Sequence, residues 1–137
     1  MAWSMRELDF GYETRLEGVD FATARGRVTQ ALGEQGFGVL TAIDVTKTLK
    51  EKIGVEMRRY EILGACNPKL AHQAIEAYPD IGLLLPCNVV VEEADGGIRV
   101  ALIKPRALFE MIRDPRVEPI AQAVDELVRE VISALER

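Results

Sequence analysis

The groups best suited to chemistry in this chain are its two cysteines, Cys66 and Cys87, and its single histidine, His72. Cys66-Asn67-Pro68 reads as the point where a strand gives way to a helix. Asn accepts hydrogen bonds from the unpaired amides of a helix start, and Pro fits the first helical position because no donor is needed there. A thiol beside such an end sits in partial positive charge, which favours the thiolate as nucleophile or metal ligand. Cys87-Asn88 opens a later strand, and His72 lies about one and a half turns into the helix after Cys66. Converged, Cys66, His72 and Cys87 offer three soft or borderline ligands with an open fourth position, and Asn67 and Asn88 add donors and acceptors.

Each residue also has an ordinary explanation. Unpaired cysteines commonly pack in cores, Asn67 and Pro68 are accounted for by capping, and His72 suits a solvated helix face. No Cys-x-x-Cys pair is present, so a thioredoxin-like motif is excluded. One histidine and two cysteines cannot make a self-contained three-histidine or four-cysteine zinc site, so no metal is assigned.

A second group is basic. Lys47 and Lys50 are three residues apart on a short helix and share a face, which suits a phosphate or carboxylate. A solvated face with Glu51 and Glu56 as neighbours is the ordinary account of them and the favoured one. Gly33, Gly36 and Gly38 have neither Walker nor dinucleotide spacing. Glu92-Glu93 and Asp125-Glu126 are adjacent pairs whose side chains point apart, so neither is an acid/base dyad. The only serines, Ser4 and Ser133, lie in no nucleophile elbow.

Elements must position these groups. Leu8, Phe10, Tyr12, Thr14 and Leu16 alternate with polar residues as a half-buried strand. Asp20 caps a helix carrying Phe21, Ala24, Val28, Ala31, Leu32 and Gln35 at helical spacing, closed by Gly36 in the left-handed region. Phe37 to Ile43 alternates again. Asp44 caps a short helix with Val45, Leu49 and Ile53, stopped by Gly54. Tyr60, Ile62 and Gly64 define a third strand, with Glu61, Leu63 and Ala65 on its other face. After Asn67-Pro68 a helix buries Leu70, Ala71, Ala74, Ile75 and Tyr78 and ends at Pro79. Cys87–Glu93 and Ile98–Lys104 form a hairpin around Asp95-Gly96, because both turn residues tolerate positive φ. Arg106 to Ile112 supplies one or two helical turns, and a last helix from near Val117 carries Ile120, Val124, Leu127, Val128, Val131, Ile132 and Leu135. The expected fold is therefore α+β: a five-stranded mixed or antiparallel sheet covered by helices, in the order β-α-β-α-β-α-β-β-α. The early alternation of strands and helices leaves α/β open as an alternative.

Three motifs in order resemble a known family. They are Gly36-Phe37-Gly38-Val39-Leu40-Thr41-Ala42-Ile43-Asp44-Val45 with Leu49-Lys50-Glu51-Lys52-Ile53-Gly54, then Tyr60 through Pro68, then Ile81 through Val91. The chain is similar over almost its whole length to the bacterial and archaeal domain-of-unknown-function family 302. The resemblance implies a compact α+β domain that commonly forms homodimers. It implies no reaction, and the cofactor, if any, stays unknown.

Composition bounds the rest. The length suits one domain over residues 1–137, and 48% hydrophobic residues can supply a core. A formal charge of -5 argues against a nucleic-acid partner. No segment is long and apolar enough for a membrane span, and Met1 to Asp9 lacks a signal-peptide core. Two cysteines are not a disulfide framework, so the expected location is the cytoplasm, with both thiols reduced. Leu83-Leu84-Leu85 after Pro79 is read as a core crossing, a pocket wall or a dimer contact; with the hairpin strands it supplies apolar surface for a homodimer. The leading expectation is a small cytoplasmic homodimer that binds a small ligand through Cys66, Asn67, His72, Cys87, Asn88, Lys47 and Lys50. The alternatives are a thiol-handling or metal-binding protein using Cys66 and Cys87, and a structural or partner-binding protein with no ligand site.

Overall fold

The computed structural model describes residues 5–136, so Ser4 and the first residues of the N-terminal stretch lie outside it. The elements are β1 (Arg6–Glu7), β2 (Gly11–Glu17), α1 (Phe21–Glu34), β3 (Gly38–Asp44), α2 (Val45–Ile53), β4 (Tyr60–Cys66), α3 (Pro68–Ala77), β5 (Cys87–Ala94), β6 (Gly97–Ile103), α4 (Pro105–Phe109) and α5 (Glu118–Glu136), with a 3₁₀ helix at Pro79–Leu84. The strands form one sheet in the order β1-β2-β6-β5-β4-β3, and every pair is antiparallel.

The fold is α+β, with two corrections to the sequence expectation. The sheet has six strands rather than five, and the α/β alternative is overturned because no pair is parallel. The extra strand is Arg6–Glu7. The run from Leu8 to Leu16 is not one strand: Leu8 N–H donates to Gly11 O at 2.7 Å, so the chain turns there and the long strand begins at Gly11. Phe10 alternates correctly in sequence but sits exposed on that turn. The order also gains the 3₁₀ helix and α4.

Side-chain alternation assigns the two faces. Tyr12, Leu16, Leu63, Ala65, Val89, Val91, Val100 and Leu102 are buried on one face, beneath α1 and α5. Phe21, Ala24, Val28, Ala31 and Leu32 form the buried stripe of α1, and Ala121, Val124, Val128, Val131, Ile132 and Leu135 that of α5. Asp20, Asp44 and Asn67 cap α1, α2 and α3 through their side chains, each accepting from a backbone N–H three residues on. α2 is different from its sequence reading: its apolar stripe buries no residue. The second sheet face carries a cross-strand ion ladder. Arg6 meets Glu13, Arg99 bridges Glu13 and Glu92, and Arg58 closes on Glu92 at 2.8 Å. Glu13 and Glu92 are buried, with their charges matched by flanking guanidinium groups.

The β5–β6 hairpin pairs Ala94 with Gly97, leaving Asp95-Gly96 as a two-residue turn. Gly96 has φ +79, whereas Asp95 stays at negative φ, so only the glycine uses the left-handed freedom. Gly96→Val is expected to cost about 1–2 kcal/mol through left-handed strain alone, since nothing lies near its missing Cβ. A denaturant midpoint equal to wild type would contradict this.

Candidate functional site

β4 runs beside β5 with Ala65 opposite Cys87, so Cys66 at the end of β4 lies diagonally next to Cys87 at the start of β5. The chain then turns into α3. Asn67 fixes this turn twice: its Oδ1 accepts from Leu70 N–H at 3.2 Å, and its Nδ2 donates to Gln35 O at 3.4 Å. The second bond ties the start of α3 to the end of α1. On the β5 side, the Pro86 ring lies over Gly64. A Cβ at 64 would stand 2.8 Å from Pro86 Cγ and also meet Thr41 Oγ1, so the missing side chain is what allows Pro86 to deliver Cys87 to this position.

The result is one cavity of about 30 Å³, room for one or two water-sized groups. Cys66, Asn67 and Cys87 line it, with apolar walls from Phe37, Leu70, Leu85, Phe109 and Val124. The three-leucine segment divides its roles. Ile81, just before it, is fully buried, Leu83 is 88% exposed and Leu85 is a cavity wall.

The other sequence candidates lie elsewhere. His72 is exposed on α3, with Nε2 3.4 Å from Glu76 Oε1 one turn on. Asn88 is exposed and paired opposite Gly64, on the face away from Leu63 and Ala65. Lys47 and Lys50 lie on α2, and Lys50 pairs with Glu56 at 3.1 Å. Cys66, Asn67 and Cys87 are thus brought together, and His72, Asn88, Lys47 and Lys50 are not among the cavity's lining residues. Among the described residues no three His, Cys, Asp or Glu side chains are placed to hold a metal ion.

The two thiols differ. Cys66 is half-buried and Cys87 is buried. Burial first, and the nearby Cys66 second, push the Cys87 thiol up from its ordinary 9.0 to about 11. Cys87 therefore keeps its proton at physiological pH.

A second polar cluster escaped the sequence reading. Tyr12 O–H donates to the Asp125 carboxylate, 2.8 Å from Oδ2 and 3.0 Å from Oδ1. Arg129 Nε donates to the Tyr12 oxygen at 3.2 Å and to Asp125 Oδ2 at 3.3 Å, and another Arg129 nitrogen reaches Glu7 Oε1 at 3.0 Å. Burial, then the Asp125 hydrogen bond, hold the Tyr12 phenol above its ordinary value, against a lowering pull from Arg129. The signal was available: Asp125 lies four residues after Ala121 and three before Val128, inside the buried stripe of α5. An acid at such a position needs a partner.

An antiparallel sheet backed by two long helices, with a thiol-lined cavity at the β4–α3 junction, defines a small α+β domain class. The chain belongs to the family described as "Domain of unknown function DUF302", whose model matches residues 12–135. A crystal structure titled "uncharacterized conserved protein DUF302 from Bacillus stearothermophilus" is similar, with a TM-score of 0.83 and 28% identity, covering 91% of this chain and 97% of that one. An "Uncharacterized protein" of Aquifex aeolicus (strain VF5) is 22% identical over 125 residues, covering 88% of this chain and 81% of its own. No helix among the described residues is long and apolar enough to cross a membrane.

Proposed function

We propose that this protein binds a small ligand whose apolar end, one or two heavy atoms in size, enters the cavity at the β4–α3 junction, as a homodimer in the cytoplasm, with no nucleic-acid or membrane partner. The observation that carries the reading is convergence: the chain's two cysteines, twenty-one positions apart, line the same cavity with the Asn67 helix cap. Both polar ends of Asn67 are occupied by the backbone, and the remaining walls are hydrocarbon and sulfur. Such a lining favours apolar and polarisable groups over anions. Cys66 is the contact open to a ligand, and Cys87 is a packed wall. His72, Asn88, Lys47 and Lys50 have no part in this reading.

Iodoacetamide tests it. In the native protein Cys66 is expected to alkylate at neutral pH while Cys87 stays protected until unfolding. Cys66→Ser is expected to melt within about 1 kcal/mol of wild type, because its site is half-buried and close in size. A Cys66 that resists alkylation in the native state, together with a clear loss of stability in Cys66→Ser, would show that the thiol is only core packing.

A further inference from the structure

The arginines of this chain are almost all engaged. Among the described residues Arg6, Arg25, Arg58, Arg99, Arg116 and Arg129 form ion pairs. Arg15 and Arg27 donate to backbone carbonyls, and Arg59 lies over the Phe21 ring. Only Arg106 and Arg113, among the described arginines, have no side-chain partner. Both line the same cavity of about 320 Å³, between α4 and the start of α5. Its floor is Phe109 and Ala121, which are buried. Glu110 and Glu118 face the same space, and neither closes on an arginine. Arg106 and Glu110 are four apart, a spacing that pairs opposite charges on a helix, but α4 ends at Phe109 and Glu110 stands past its end. Asp114, the remaining acid of the lining, is spent on Arg116: Oδ1 accepts from its backbone N–H and from Nε, and Oδ2 accepts from another guanidinium nitrogen at 2.7 Å. Arg113 is also the one non-glycine described residue at positive φ, +52. Such a conformation costs energy and persists where the surroundings hold it, often beside a binding site.

We propose that the α4–α5 cleft binds a free α-amino acid with an apolar side chain. Two unpartnered guanidinium groups suit a carboxylate, which a guanidinium fork meets with parallel hydrogen bonds. Two unpartnered carboxylates suit an ammonium. A zwitterion satisfies both sets at once. A phosphate or dicarboxylate would meet Glu110 and Glu118 as like charge, and a diamine would meet the arginines so. The Phe109 and Ala121 floor takes the apolar side chain, and the Gln122 amide adds a donor and an acceptor at the wall. The volume lies at the low end of small-ligand sites, ~300–1,000 Å³, which fits one amino acid better than a nucleotide. This cleft is distinct from the cysteine cavity and shares only the Phe109 wall with it.

Amide chemical-shift titration of the 15.2 kDa chain tests this with L-leucine, 4-methylpentanoate and 3-methylbutylamine, which share a carbon skeleton and differ in charge. L-leucine is expected to shift the amides of α4, the turn after it and the first turn of α5 saturably, and each analogue to bind at least about tenfold more weakly. Arg106→Gln and Arg113→Asn are each expected to weaken L-leucine about tenfold or more, since each removes a charge-assisted hydrogen bond. Both sites are exposed, and asparagine tolerates the positive φ at 113, so the rest of the spectrum should stay that of the wild type. Glu118→Gln is expected to weaken L-leucine and to leave 4-methylpentanoate no weaker. Three results would each overturn the proposal: no saturable shift in the cleft at millimolar L-leucine, L-leucine binding that survives both arginine substitutions, or 4-methylpentanoate binding as tightly as L-leucine.

Discussion

Asp125→Ala is expected to lose about 3 kcal/mol of stability, roughly 10 °C in Tm for a chain of this size. Asp125 is only 3% exposed, and Tyr12, whose hydroxyl it accepts, is fully buried. Removing the carboxylate leaves that hydroxyl with Arg129 alone as a neighbour, and Arg129 can only donate to it. It also opens a small void between α5 and β2. Arg129 is the less costly part of the loss, because it is partly exposed and keeps Glu7 as a partner. Tyr12→Phe removes the donor and is expected to cost about 1–2 kcal/mol. The sharper result is the combination: Tyr12→Phe with Asp125→Leu removes both polar partners and is expected to recover much of the Asp125→Ala loss. Leaving one buried partner unsatisfied is what costs, whereas replacing both by apolar groups of similar size is close to neutral. Thermal melts of the three variants check the series. An Asp125→Ala protein melting with wild type would mean that the contact holds nothing.

That cluster also marks where the sequence stopped being readable. Periodicity identifies a buried face where its members are apolar, as on α1, where Phe21, Ala24, Val28, Ala31 and Leu32 are buried, whereas the polar Gln35 of the expected stripe is the half-buried C-cap. Asp125 interrupts such a stripe, and its partner Tyr12 lies 113 positions away, a separation that local spacing cannot bridge. The same limit governs the site. Asn67-Pro68 announces a helix start within three residues, and the structure has the cap there. The meeting of Cys66 with Cys87 depends on the register of β4 against β5, which the hydrophobic pattern sets only once the sheet order is known. His72 illustrates the opposite error. Its distance along the chain from Cys66 is short, but its position on α3 turns it to Glu76 and solvent. Two-residue β1 has no period to detect, which is why a six-stranded sheet reads as five. The stripe of α2 follows the helical period as faithfully as any core helix, yet Val45 and Leu49 are only half-buried and Ile53 is exposed. Amphipathicity says that an apolar face exists, and burial depends on what else is present to cover it.

The larger pH effect should come from Cys87. Its thiol ionises at 9.0 in an ordinary setting and at about 11 in the folded chain, with burial the principal cause. The folded state therefore holds its proton where the unfolded chain has already released it. Stability from this group is fully present below pH 9 and falls as pH rises toward 11, since above 9 the unfolded state binds fewer protons. A shift of that size corresponds to about 3 kcal/mol, lost progressively across the interval. Tyr12 acts in the same direction at higher pH, because its folded phenol also ionises above its ordinary 10.0. The two are separable by substitution. Cys87→Ala gives up some packing at neutral pH, and its stability is expected to stay nearly flat from pH 8.5 to 10 while the wild type declines. Cys66→Ser is expected to retain most of the wild-type slope, because the neighbouring thiol is the smaller cause of the Cys87 shift. Urea unfolding at half-unit intervals of pH, with reductant present to prevent oxidation of either thiol, reads the slope directly. Parallel curves for wild type and Cys87→Ala would show that the Cys87 thiol is far more hydrated than its position between β4, β5 and α5 implies, and would reopen it as a reactive partner to Cys66.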